Sequence, residues 1–215
     1  MGEEKLLAKL GEYSYMKRLI SCGEIYMTPI AKFRSMEETD GIGDKYENSV
    51  SYSSPKSPTI TIKFPWGEEL QLDKKSRVTY GEISEEPGLI YCLTSISPKM
   101  IGTITALEEI QKIGVGYDTM ILFKDTPEFL RRIEQKLKEF GYEMYYGFVE
   151  YYSETNAIHK ELTPFHKRER FSYQHEYRIY IECNNQNPLT IHIGNLEDIA
   201  YLIRLPNKKP DIATN

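Results

Sequence analysis

Apolar and polar positions alternate through Phe171-Ser172-Tyr173-Gln174-His175-Glu176-Tyr177-Arg178-Ile179-Tyr180-Ile181-Glu182. A period of two predicts a half-buried strand. One face would carry Phe171, Tyr173, His175, Tyr177, Ile179 and Ile181. The other would carry Ser172, Gln174, Glu176, Arg178, Tyr180 and Glu182. Gln174, Glu176 and Arg178 are therefore expected to point the same way, spaced roughly 7 Å apart along the strand.

The same patterning orders the rest of the chain. Tyr13, Met16, Leu19 and Ile20 fall on one helical face, and Gly23 is placed to end that helix in the left-handed region. The preceding Leu6-Leu7-Ala8-Lys9-Leu10 fits either the helix's first turns or a short strand before Gly11. Glu24–Thr28 reads as a strand ended by Pro29. Residues 33–46 are charged and turn-rich, fitting a solvated loop or a lid. Thr59–Phe64 and Glu69–Leu72, joined by Pro65-Trp66-Gly67, predict a hairpin. Arg77–Tyr80 and Gly88–Leu93 read as strands, the second apolar enough to be central. Thr105-Ala106-Leu107-Glu108 matches a capping box ahead of a short helix. Tyr117–Phe123 predicts a strand.

The clearest helix follows, with Thr126 as cap, Pro127 at its first position and Gly141 at its end. Phe129, Leu130, Ile133, Leu137 and Phe140 form its apolar stripe. Its Arg and Lys residues alternate with Glu134 and Glu139, as on a solvated face. Gly147–Tyr152, the opening strand, Leu189–Ile193 and Ala200–Leu205 complete the strand set. Leu189–Ile193 looks like the hairpin partner of the opening strand, and Asn195 is placed to cap a short helical turn. The expected architecture is one strand-rich α+β domain over residues 1–205 with about three helices, followed by a frayed tail at 206–215.

Composition narrows the function classes. The 215 residues suffice for a real core. A net charge of −5, from 27 basic and 32 acidic residues, argues against a general nucleic-acid binder. Tyrosines number 17, against 8 phenylalanines and one tryptophan. That bias suits sheet surfaces, and also recognition faces, where a ring packs while its hydroxyl stays wet. Cys22, Cys92 and Cys183 are too sparse for a disulfide framework and fit reduced thiols. The histidines show no zinc-ligand spacing with them, so no metal is expected. There is no apolar run long enough to span a bilayer and no signal-peptide centre, so the expected location is the cytoplasm, without membrane association.

Candidate chemistry centres on Glu176. A carboxylate flanked by Gln174 and Arg178 can accept a sugar hydroxyl's hydrogen bond and stabilise positive charge on an adjacent carbon. Arg178 would keep it ionised. The structural alternative is that Glu176 and Arg178 simply form cross-strand ion pairs. The paired glutamates 37/38, 68/69 and 85/86 are adjacent in sequence, so they would diverge in a strand and make poor acid–base couples. The short cluster His166-Lys167-Arg168 with Arg170 could meet a phosphate. No nucleophile–base couple or phosphate-binding glycine loop can be assigned.

Two stretches together resemble an uncharacterised bacterial and phage protein family of unknown function. The first is Tyr15, Leu19-Ile20, Gly23-Glu24-Ile25-Tyr26-Met27, Pro29 and Phe33, followed by an acidic loop containing glycine. The second is Lys167, Phe171, Tyr173-Gln174, Glu176-Tyr177-Arg178-Ile179, with Gly194-Asn195-Leu196 and Asp198-Ile199 beyond it. Gln174-x-Glu176 is also similar to the Gln/Glu-x-Glu motif of ADP-ribosyltransferases. That resemblance implies an ADP-ribosyltransferase-like fold and NAD as cofactor. It makes Glu176 the catalytic carboxylate and Gln174 the residue that orients the acceptor, with Arg178 beside them at the cofactor. Thr94-Ser95 would match the Ser/Thr position of such enzymes. Those enzymes grip NAD with an Arg or His on an early strand. Here that stretch reads Leu7-Ala8-Lys9-Leu10-Gly11, so either Arg34 substitutes or NAD is not held in that way. The rival expectation is a non-catalytic protein of phage or mobile-element origin. It would inhibit or recruit a host protein through a tyrosine-rich surface.

Overall fold

In the computed structural model, the residues described are 5–33, 36, 44, 46, 49–53, 60–72, 80–83, 88–98, 110, 112–113, 116–154, 160–184 and 187–206. The elements run β1 Leu6–Gly11, α1 Tyr13–Cys22, β2 Glu24–Pro29, β3 Ser49–Ser53, β4 Ile60–Lys63, β5 Glu69–Leu72, β6 Tyr80–Ile83, β7 Gly88–Ile96, β8 Thr119–Phe123, α2 Thr126–Glu139, β9 Met144–Phe148, β10 Glu150–Tyr152, β11 Lys160–Glu161, β12 His166–Arg168, a 3-10 helix Glu169–Gln174, β13 Glu176–Glu182, β14 Leu189–His192 and β15 Ala200–Arg204. The class is α+β and strand-rich, as the patterning implies. The chain divides into two compact units, residues 1–29, 88–149 and 173–215 forming the first and residues 30–87 and 150–172 the second.

The first unit is built on an eight-stranded antiparallel sheet with path β14-β2-β7-β1-β8-β15, from which β13 branches at β7 and carries β9 at its far edge. The apolar run of β7 makes it the hub, with β13 alongside from Gly88 to Thr94. Its other side is shared. β1 pairs with Thr94–Ile96, and β2 pairs only at Leu89 and Ile90. Between them, Tyr91, Cys92 and Leu93 face a gap where β1 and β2 diverge, joined by α1. The sheet's main core contains Leu7, Ile25, Met27, Leu89, Tyr91, Leu93, Ile121 and Ile179. Met16 and Leu19 of α1 pack into it, as do Phe129, Ile133 and Leu137 of α2.

Local chemistry explains the helix ends. Gly23 adopts φ 64° and its N–H donates to the Leu19 carbonyl, ending α1 in the left-handed region as expected. The cap of α2 is Asp125, one residue before the expected Thr126, because the Asp125 carboxylate accepts the Glu128 N–H at 3.0 Å. Phe140 leaves the predicted stripe and is exposed. The charged face is paired within itself: Arg131 with Glu128, Lys136 with Glu139 and Lys138 with Glu134.

In the second unit, β3 pairs with β6 and β11, β4 and β5 form the predicted hairpin, and β10 runs parallel to β12. Among its buried charged residues, Arg168 donates to Asp44 at 2.6 Å and to Glu154 at 3.1 Å. Of the His166–Arg170 cluster, Arg168 and Arg170 are thus both engaged by Glu154.

Three strand expectations are corrected. Phe171–Gln174 lies in the 3-10 helix, and the strand begins only at Glu176. Gly147–Tyr152 is broken at Val149 into β9 and β10. Leu189–His192 pairs with β2 instead of returning along β13. The capping box at Thr105, the loop residue Arg34 and residues 207–215 lie outside the described residues.

Candidate functional site

The first unit holds a pocket of about 370 Å³ at the gap between β1 and β2. Its walls include Lys9 from β1, Glu12, Tyr15 and Met16 from the start of α1, Glu24, Tyr26 and Thr28 from β2, Tyr91 from β7, and Tyr117. Diverging strands expose backbone that a ladder would otherwise consume. Lys9 meets part of that demand, for its Nζ donates to the Cys92 carbonyl at 2.7 Å. The same ammonium sits 4.5 Å from the centroid of the Tyr91 ring, a cation–π contact.

Tyr91 is only 5% exposed. Its hydroxyl is buried and makes no hydrogen bond. A buried hydroxyl without a partner costs about 1–3 kcal/mol. Burial pushes its ionisation above the ordinary tyrosine range, and the neighbouring Cys92 adds to that rise. Burial likewise lowers the Lys9 ammonium below the usual lysine value, while Cys92 and Glu176 pull it back upward. Tyr15 and Tyr26 are exposed, and the Arg18 guanidinium lies 4.8 Å from the centre of the Tyr15 ring. Glu24 is engaged by Arg18 at 2.7 Å, whereas Glu12 precedes α1 without a side-chain capping bond. The wall thus combines a lysine, carboxylates and tyrosine rings, the parts needed to hold a ring-bearing polar ligand.

Of the residues singled out from sequence, Thr94, Ser95, Glu176 and Arg178 lie on strands of the sheet, and none of these four lines the pocket. Ala8, Thr94 and Glu176 stand in register on β1, β7 and β13. Glu176 and Arg178 do share a face, and the Arg178 Nε donates to the Glu176 carboxylate at 2.8 Å. Both are buried, Arg178 at 1% and Glu176 at 8% exposure. Gln174 does not join them on the strand. It ends the 3-10 helix, and His175 then turns the chain at φ 46°, an uncommon value for a residue with a side chain. Thr94 and Ser95 hold that turn: the Thr94 hydroxyl donates to the Gln174 carbonyl at 2.8 Å, and the Ser95 N–H to the His175 carbonyl at 2.9 Å.

Sequence reasoning passed over Lys9 and Tyr91. A lone lysine inside Leu6-Leu7-Ala8-Lys9-Leu10 was the available signal, because a cation in an apolar strand needs a partner or a cavity. Tyr91 carried no signal, since a tyrosine in a central strand looks like ordinary core. Among the described residues, no cluster of three or more His, Cys, Asp or Glu is placed to hold a metal ion, and no helix is long and apolar enough to cross a membrane. Comparison with protein-family profiles, with curated proteins and with solved structures finds no match to this chain.

Proposed function

We propose that the chain binds a small ring-bearing ligand in the gap between β1 and β2, and that this ligand is NAD, as the ADP-ribosyltransferase resemblance implies. The observation that carries this reading is a pocket walled by Lys9 and by Tyr91, whose buried hydroxyl has no hydrogen-bond partner. Polar groups left unsatisfied in an interior are rare, and they point to function when they line a cavity. The donor set suits NAD in kind. Tyr15 and Tyr26 offer stacking faces, Lys9 a cation for phosphate oxygens, and the Glu12 carboxylate an acceptor for ribose hydroxyls. Lys9 stands in the early-strand stretch where those enzymes carry their gripping residue, so Arg34 need not substitute.

Of the two roles that the resemblance implies, binding has more support than transfer. The Glu176 carboxylate is drawn into an ion pair with Arg178, and Gln174 lies off the strand. A second reading, a protein-binding surface without catalysis, is favoured by the exposed aromatics Tyr145, Tyr146 and Phe148 on β9.

Calorimetric titration with NAD tests the proposal. Saturable one-to-one binding is expected, weakened about 5- to 30-fold by Tyr91→Phe through loss of one hydrogen bond. Lys9→Met should weaken it further. Absence of binding at millimolar NAD, or equal affinity in wild type and Tyr91→Phe, would overturn it. Nicotinamide release, measured in parallel, reports transfer separately from binding.

A further inference from the structure

Strand β9 is an edge. It pairs with β13 on one side and, among the described residues, with no strand on the other. The direction of its free groups follows from the ladder. The Val149 N–H donates to the Glu176 carbonyl at 3.0 Å, and the register continues through Phe148 opposite Tyr177 and Gly147 opposite Arg178. Bonded residues recur every second position in an antiparallel pair. Tyr145 and Gly147 therefore bond inward to β13, while Met144, Tyr146 and Phe148 direct their N–H and C=O groups away from it.

Natural edges are blunted by lysine, proline or an inward charge. Within Met144-Tyr145-Tyr146-Gly147-Phe148 there is none of these. Instead the strand exposes 43% of Tyr145, 53% of Tyr146 and 51% of Phe148, on both faces. A bare, aromatic edge of this kind is a template for another strand.

We infer that two copies of this chain pair edge to edge along β9, antiparallel and centred on Tyr146. The strand is self-complementary in that register. Met144 faces Phe148 of the second copy, Tyr146 faces Tyr146, and every outward-pointing residue meets another, so the ladder closes. Tyr145 lies over Gly147 of the second copy, where the missing side chain leaves room for its ring. The Met144 thioether meets the Phe148 ring, a favourable sulfur–aromatic contact. Charge selects the same orientation. Lys5 sits 5.0 Å from the centre of the Phe148 ring, at one end of the strand, and Glu143 precedes the other end. Antiparallel pairing brings opposite charges to each end, whereas parallel pairing would bring like charges together.

Sedimentation analysis of the whole chain tests this. A concentration-dependent dimer is expected at roughly 100 µM, because self-pairing follows mass action. Tyr146→Lys, which sets two like charges on the two-fold axis, should give a monomer with unchanged circular dichroism, and Tyr146→Phe should remain dimeric. Amide exchange supplies a test without substitution. The N–H groups of Met144, Tyr146 and Phe148 should gain protection as concentration rises, while those of Tyr145 and Gly147 should not change. A wild type that stays monomeric, a dimer that survives Tyr146→Lys, or protection at those three amides that ignores concentration would overturn the inference.

Discussion

Tyr91→Phe removes one oxygen atom and separates two explanations of the pocket. In wild type that hydroxyl is buried and has no hydrogen-bond partner, and the Lys9 ammonium lies 4.5 Å from the centre of the ring that carries it. Its desolvation costs about 1–3 kcal/mol with no bond to offset it. Phenylalanine keeps the ring face and hence most of the cation–π contact. The ligand-free variant should therefore be more stable than wild type by on the order of 1 kcal/mol, seen as a melting temperature higher by about 2–4 °C. Urea denaturation followed by circular dichroism measures it, with and without NAD. Without NAD the variant should gain stability, and with NAD it should be stabilised less than wild type. The pH dependence has a definite sign. Burial raises the folded-state ionisation of Tyr91 above the unfolded value near 10. Above that pH the unfolded chain releases a proton that the folded chain keeps, so wild-type stability falls as pH rises, and the variant should lose this contribution. A variant less stable than wild type by more than about 1 kcal/mol would show that the hydroxyl is satisfied in the native state, and the reasoning would fail.

The remaining expectations concern the surrounding frame. Arg178→Met removes the guanidinium that donates to the buried Glu176 carboxylate and should cost about 3–5 kcal/mol in denaturant unfolding, and adding Glu176→Leu should recover much of that loss. Gly88→Ala would place a Cβ 2.2 Å from the Tyr180 ring. It should destabilise by about 1–3 kcal/mol, and far less in a Tyr180→Ala background. Glu128 is held down to about 2, by its hydrogen bonds to Arg131 first and then Arg132. Its contribution to stability should be present above the unfolded glutamate value near 4.3 and fade as pH falls toward 2, an acid limb that Glu128→Gln should flatten.

Much of the fold was legible because period-two and period-3.6 patterns report directly on burial. Gly88–Leu93 read as central for its unbroken apolar run, and α2 for its stripe of Phe129, Ile133 and Leu137. The strand around Glu176 misled because alternation continues upstream of it. Phe171 and Gln174, which a half-buried strand would set on opposite faces, are both buried, because they belong to a 3-10 helix held at its end by bonds from Thr94 and Ser95, some 80 residues away in sequence. No local pattern encodes such a contact. The pairing of Leu189–His192 with β2 was hidden for the same reason. The shared face of Glu176 and Arg178 was legible, but their ion pair forms between the two residues along one strand and not across to a neighbouring one. What escaped was the splitting of β1 from β2 along β7. That topology makes a cavity out of Lys9 and Tyr91, residues which in sequence look like an interruption and a core ring.

The most direct test of the central claim is a crystal structure of the chain grown with millimolar NAD. The expected result is ligand density in the gap between β1 and β2, with an acceptor or donor atom within about 3 Å of the Tyr91 hydroxyl and a phosphate oxygen near Lys9 Nζ. Density bound elsewhere, or a gap refilled by the chain's own side chains with the Tyr91 hydroxyl satisfied among them, would contradict it.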